Sequence, residues 1–200
     1  MKFTTTIILL LLASAAGVYL WIDRTKPSTE EKKRVAKRVF KEFDPAKVFA
    51  LSVTVFQRTN QTGAIIATNQ FDLERNVAGW TLLRPVNFPA DETKLRLILD
   101  QTKKTDQNRV VEGEEYTKLN RAETGLDAPD IIATFTTPQT SLTVRFGFEV
   151  PAQWANYVEI EGMAQAFFVP NHYKESLMLA TDSSEQDIRR RGQFLDTGQG

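Results

Sequence analysis

One histidine, three glutamates within four positions and three consecutive arginines are where this sequence could do chemistry. His172 follows Asn171 at a predicted helix start, and a general base there needs a nearby carboxylate, with Glu175 or Asp182 as candidates. A lone histidine at a helix start more often just occupies the cap, so no catalytic residue is assigned. Glu112-Gly113-Glu114-Glu115 has the charge to hold Ca²⁺ or to do acid/base work. It lacks Asp-x-Asp-x-Asp spacing, and acidic residues ahead of a helix at Tyr116 favour the helix dipole. Arg189-Arg190-Arg191 has the charge to grip phosphate or lipid, but cations in a last helical turn offset the negative end of the dipole. There is no Gly-x-Ser-x-Gly elbow and no Gly-x-x-x-x-Gly-Lys-Ser/Thr loop. With no cysteine, thiol nucleophiles, disulfides and Cys-ligated metals are excluded. No cofactor or metal site is expected.

The aromatic residues offer binding rather than bond-making. Trp80, Trp154 and Tyr157 are candidate stacking faces for a ligand, although Trp80, on a predicted strand beside Leu82, reads first as core. Lys and Arg together number 25, as do Asp and Glu, so the formal net charge is zero. Phosphate backbones need a strong basic excess, which sets nucleic acid aside as a partner.

The element expected to position everything else is residues 4–22, TTTIILLLLASAAGVYLWI, nineteen residues without a charge. A bilayer core about 30 Å thick needs about 20 such residues at ~1.5 Å each. Ile7, Ile8, Leu9, Leu10, Leu11 and Leu12 supply the insertion energy, while Val18, Leu20 and Ile22 extend the run. Tyr19 and Trp21 fall where an interfacial aromatic pair would sit. Residues 1–3 make a short cytoplasmic start. The competing reading is a signal peptide cleaved near Ala13-Ser14-Ala15, and the apolar run beyond that point favours an uncleaved anchor. Lys2 precedes the span, whereas Arg24, Lys26, Lys32, Lys33 and Arg34 follow it; that count favours a cytoplasmic head, and the signal-like start favours the outside.

Residues 23–43 read as a basic amphipathic stalk helix. Ser28 and Glu31 form a capping box, and Val35, Val39, Phe40 and Phe43 recur at helical spacing. Lys32, Lys33, Arg34, Lys37 and Arg38 are its lipid or partner contacts, at ~1 kcal/mol per cation near an anionic leaflet. The plainer reading of the same charges is a solvated face diluted by Glu30, Glu31 and Glu42.

Residues 44–191 form the head, with halves 44–112 and 113–191, followed by a frayed tail at 192–200. Strands are predicted over 48–58, 64–75 with a break, and 80–84. A helix then starts at the cap Asp91, with Leu95, Ile98, Leu99 and Thr102 on one face. The second half repeats that order loosely. A short strand at 109–111 precedes a helix at 116–123 ended by Gly125, and strands follow at 130–136 and 141–148. A hairpin of 157–161 and 166–169 leads to a helix capped by Asn171 and another capped by Ser184. The fold class is α+β: antiparallel sheets in two strand-rich units, each covered by a helix, behind one transmembrane helix.

The succession of motifs resembles the domain-of-unknown-function family DUF4340, single-anchor bacterial proteins associated with gliding-motility-type ABC transport systems. Asp44-Pro45-Ala46-Lys47-Val48, Leu73-Glu74-Arg75, Gly79-Trp80 to Pro85, Pro89-Ala90-Asp91, Gly125-Leu126-Asp127-Ala128-Pro129 and Asp187-Ile188-Arg189 carry the likeness along nearly the whole chain. The family has no established catalytic residues, so none is transferred. The resemblance implies a non-enzymatic accessory or interaction role at the inner membrane, with the head outside the cytoplasm and ABC transporter subunits or other membrane proteins as partners. The alternatives are a module binding an envelope ligand or glycan through Trp154 and Tyr157, and an envelope hydrolase using His172.

Overall fold

The computed structural model describes residues 35–59, 64–85 and 87–178. The chain divides into two compact units, residues 1–37 and 38–200. Of the first, only 35–37 are described, and they are helical and exposed. The expected anchor at 4–22, Lys32, Lys33, Arg34, the Ser184 helix and the tail lie outside the described residues. Among those described, no helix is long and apolar enough to cross a membrane.

The second unit is built on β1 (Ala50–Arg58), β2 (Ile65–Asn76), β3 (Gly79–Arg84), β4 (Phe88–Pro89), β5 (Arg109–Glu112), β6 (Ile131–Thr136), β7 (Ser141–Val150), β8 (Ala155–Ile160) and β9 (Gln165–Pro170). Its helices are α1 (Glu92–Lys104), α2 (Gly113–Thr117), α3 (Arg121–Thr124) and α4 (residues 171–178). Alternation of apolar and polar side chains makes the strands, as the pattern of β1 shows: Leu51, Val53 and Val55 point inward.

All nine strands among the described residues join one antiparallel sheet in the order β4-β3-β2-β1-β6-β7-β8-β9-β5. The α+β class therefore holds, but the two strand-rich units are a single sheet. The seam is β1 against β6, running from Ala50 opposite Thr136 to Val55 opposite Ile131. Both strands bury alternate residues on the same side, so pairing them gives one continuous core in place of two small ones.

That core lies on one face, where Leu51, Phe135, Phe146 and Val158 meet Leu95, Ile98 and Leu99 of α1 and Tyr173 and Leu177 of α4. Asp91 caps α1 as expected, its Oδ1 accepting from the Thr93 and Lys94 N–H groups at 2.9 and 3.1 Å. Among the described residues, the far face is covered near β5, β8 and β9, where α2 and α3 lie over Val111, Leu126, Ala166 and Phe168.

Three local expectations change. The stalk helix does not reach Phe43: its described part ends at Lys37, Arg38 bridges to Asp106, and the Val39 N–H donates to Thr105 O at 3.0 Å. Burial of Val39 and Phe40 against α1 and α4 outweighs continuing a helix through β-branched and aromatic residues. The expected helix at 116–123 is two short ones, the second capped by Asn120 and closed by Gly125 at φ 73°.

In β7, the stripe Leu142, Val144, Phe146, Phe148 breaks after Phe146. A register shift between Phe146 and Glu149 turns Phe148 outward. Gly147 sits at that shift because the α3 backbone presses on it; a Cβ there would lie 2.3 Å from Thr124 O.

Candidate functional site

A groove of about 960 Å³ opens in the second unit. One wall is the segment 38–47, and the others are the β6–β7 turn, the start of β9 and the end of β5. Asp44 fixes that segment by capping the short turn Pro45–Lys47, its Oδ1 accepting from the Ala46 N–H at 3.2 Å. Phe43 is held edge-on against Phe135, with ring centres 5.2 Å apart. Phe40, Phe43, Phe135, Leu142, Ile160 and Phe167 make an apolar floor, and Arg38, Lys41 and Lys47 alternate at the rim with Glu42, Asp44 and Glu112. Gln107 Oε1 is buried in the wall with no hydrogen-bond partner among the described residues. Such a groove suits an extended or helical polypeptide with an apolar face.

The ionisable clusters lie elsewhere, and their groups hold each other. On the far face, Arg121 donates from both terminal nitrogens to Glu159, at 2.6 and 2.9 Å, and from Nε to Asp127 at 2.8 Å. The Tyr116 hydroxyl donates to the same Glu159 carboxylate. The Arg121 hydrogen bonds, then the Tyr116 bond, hold the Glu159 carboxyl below its ordinary value against the opposing effect of burial. Donation to Glu159 raises Tyr116, and Glu159 first, then Asp127, raises Arg121. A tyrosine so raised and a guanidinium so committed form a clamp for α2 and α3, not an acid/base pair. Nearer β1, Lys174 Nζ donates to Asp130 at 2.7 Å, and Arg58 Nε lies 3.7 Å from the same carboxylate.

His172 exposes its side chain, while its backbone carbonyl accepts from Ser176 Oγ at 2.7 Å. Glu175 is exposed on the same helix, and Asp182 lies outside the described residues. Asn171 is the first helical residue instead of a cap; its side chain donates to Glu149 and accepts from Asn156. Within the acidic run, Glu115 pairs with Arg109 and Glu114 with Lys118 at 2.5 Å. No group of three or more metal-ligating side chains occurs among the described residues.

Of the contact residues read from the sequence, Lys37 is exposed and Arg38 lines the groove. Trp154 is 77% exposed at the opposite end of β7 and β8, and Tyr157 packs edge-on against Phe168, 4.7 Å between ring centres. Trp80 is buried in the core. Within the second unit, Trp154 and Arg38 lie at opposite ends of β7 and β8, and Lys32, Lys33 and Arg34 lie outside the described residues. Sequence reading missed the groove floor and the Arg121–Glu159–Tyr116 clamp. The local trace of the clamp was the Asn120 and Gly125 pair that ends α3.

Residues 80–192 match the family described as Domain of unknown function (DUF4340), a span running from β3 past α4 and holding the Pro89, Gly125 and Asp187 motifs. The Asp44 and Leu73 motifs precede it. No curated protein and no solved structure matches the chain. With more than half of its length matched, the chain belongs to the family of that description, Domain of unknown function (DUF4340).

Proposed function

We propose that this chain is a membrane-anchored, extracytoplasmic accessory protein, non-enzymatic, that serves an ABC-type transport or gliding-motility-like system by holding a partner protein. The observation that carries the reading is the apolar-floored groove with a rim of mixed charge. A floor of six large side chains offers the desolvated anchor that protein interfaces use, and the mixed rim gives register with little net field. The uncharged run at residues 4–22 supports placement at the inner membrane. The carboxylates and cations of the described clusters are engaged with one another, which supports a role in holding over one in bond-making.

The test is alkaline extraction of membranes followed by affinity recovery in mild detergent. Full-length chain should stay in the membrane pellet and bring down an ABC-type permease or a second anchored protein. Replacing Met163, an exposed residue lining the groove, with aspartate should lower that recovery about tenfold or more at an unchanged melting temperature. Release of intact chain by alkali, or undiminished recovery with the charged groove, contradicts the reading.

A further inference from the structure

Trp154 combines two features that a structural residue avoids. It ends the turn Pro151–Gln153 in the left-handed conformation, φ 49° and ψ 43°, and among the described residues it is the one non-glycine with positive φ. Glycine or asparagine ordinarily takes that position, since a bulky side chain there carries backbone strain. Packing does not offset the strain, because the residue is 77% exposed. Strain held at an exposed aromatic residue points to use of its ring.

The surroundings say what kind of use. The Trp154 carbonyl accepts from the Asn171 N–H at 3.0 Å, which ties the turn to the start of α4. Asn171 Nδ2 donates to Glu149 Oε1 at 2.5 Å, and Asn156 Nδ2 donates to Asn171 Oδ1 at 2.7 Å. Asn156 is buried and sits opposite Glu149 in the β7–β8 register. The Asn171 amide retains a second N–H, and the Glu149 carboxylate retains its other oxygen. The turn that carries the exposed indole is therefore tied through its backbone to Asn171, whose own side chain is fixed by Asn156 and Glu149. Another exposed ring at this end, Phe148, lies against Gly125.

We propose that the Trp154 turn is a sugar-binding platform. A pyranose ring lays its C–H face on the indole, whose electron-rich surface attracts those hydrogens. Its hydroxyl or acetamido groups then bond to Glu149 and to the free N–H of Asn171. A membrane-interface tryptophan would sit with cations and other apolar side chains, and an interface anchor would sit inside an apolar patch. Here the Trp154 backbone bonds to Asn171, which in turn bonds to Asn156 and Glu149. The inference does not depend on the groove, which lies at the other end of β7 and β8.

The experiment uses full-length chain in a detergent without sugar headgroups, titrated with the trimer of N-acetylglucosamine and with cellotriose. Tryptophan emission should change saturably with a Kd of about 0.1–1 mM for at least one of them. Trp154→Gly should abolish the change while the melting temperature holds or rises by about 2–4 °C, because strain is relieved. Trp154→Phe should keep the response at a Kd raised several-fold. No saturable change with either sugar, or an equal change in Trp154→Gly, overturns the proposal. A lower melting temperature for Trp154→Gly overturns it by making the indole a packing residue. Loss of binding to anionic vesicles, with sugars inert, overturns it in favour of lipid.

Discussion

Tyr173→Ala lowers the stability of the head by about 3–5 kcal/mol, the range for deleting a fully buried ring. The side chain has no exposure, and it is the point where three pieces of the core meet. Its ring lies 5.3 Å from Phe146 of the sheet and 6.0 Å from Phe40 of the segment 38–47, measured between centres. Its hydroxyl reaches Thr102 of α1 at 2.9 Å. Thr102 already spends its one proton on Ile98 O at 2.8 Å, so tyrosine is the donor in that bond. Tyr173→Phe therefore leaves no orphaned donor and costs only about 0.5–1.5 kcal/mol. Burial raises the Tyr173 hydroxyl above its ordinary value of 10.0 and keeps it neutral in the fold. The unfolded chain ionises first as pH rises past that value, so the wild type loses stability there by more than Tyr173→Phe, in which the raised Tyr116 remains. Urea unfolding of the three proteins at neutral and high pH checks both magnitudes and the sign.

Breaking the far-face clamp gives the second large effect. Arg121→Ala leaves the Glu159 carboxylate, 9% exposed, with the Tyr116 hydroxyl as its remaining partner in the cluster. Deleting one member of a buried pair costs up to about 3–5 kcal/mol; Arg121 itself is about one-third exposed, which brings the expected loss to about 2–3 kcal/mol. Removing both charges together, as Arg121→Met with Glu159→Leu, restores most of that loss because no buried charge is left alone. The folded-state value of Glu159 lies below its ordinary 4.5, so its contribution is complete above that pH and disappears as acid protonates it. The gap between wild type and Arg121→Ala therefore narrows as pH falls below the ordinary value. A gap independent of pH would mean that Arg121 acts through packing alone.

The parts of this fold written in short stretches were legible in the sequence. The Leu95, Ile98, Leu99 and Thr102 stripe and the Asp91 cap are decided within one helix, and both appear in α1. The seam of the sheet was not legible. It pairs residues 50–55 with 131–136, and nothing in either strand names its distant partner. Phe148 was misplaced because alternation assumes an even register, whereas Gly147 interrupts it; a glycine inside a strand pattern was the available sign.

The candidate sites divide in the same way. Trp154 could be singled out as an aromatic residue, but its left-handed backbone and its link to Asn171 belong to the folded turn. Glu159 and Arg121 stand 38 residues apart, and β8 must lie under α3 before they meet. The groove likewise needs residues 38–47 to leave the helix and fold against two turns of the sheet. Its floor is therefore a property of the assembled unit.

The most direct test of a tethered head that grips a partner places a photoreactive phenylalanine analogue at two positions in intact membranes. Leu142 lines the groove, and Thr54 lies on the opposite side of the sheet from the groove floor. Light should join the Leu142 probe to a membrane protein that mass spectrometry identifies as an ABC-type permease or a second anchored chain, with no such adduct from Thr54. Equal labelling from both positions, or none from Leu142 in membranes that contain the full chain, contradicts the account.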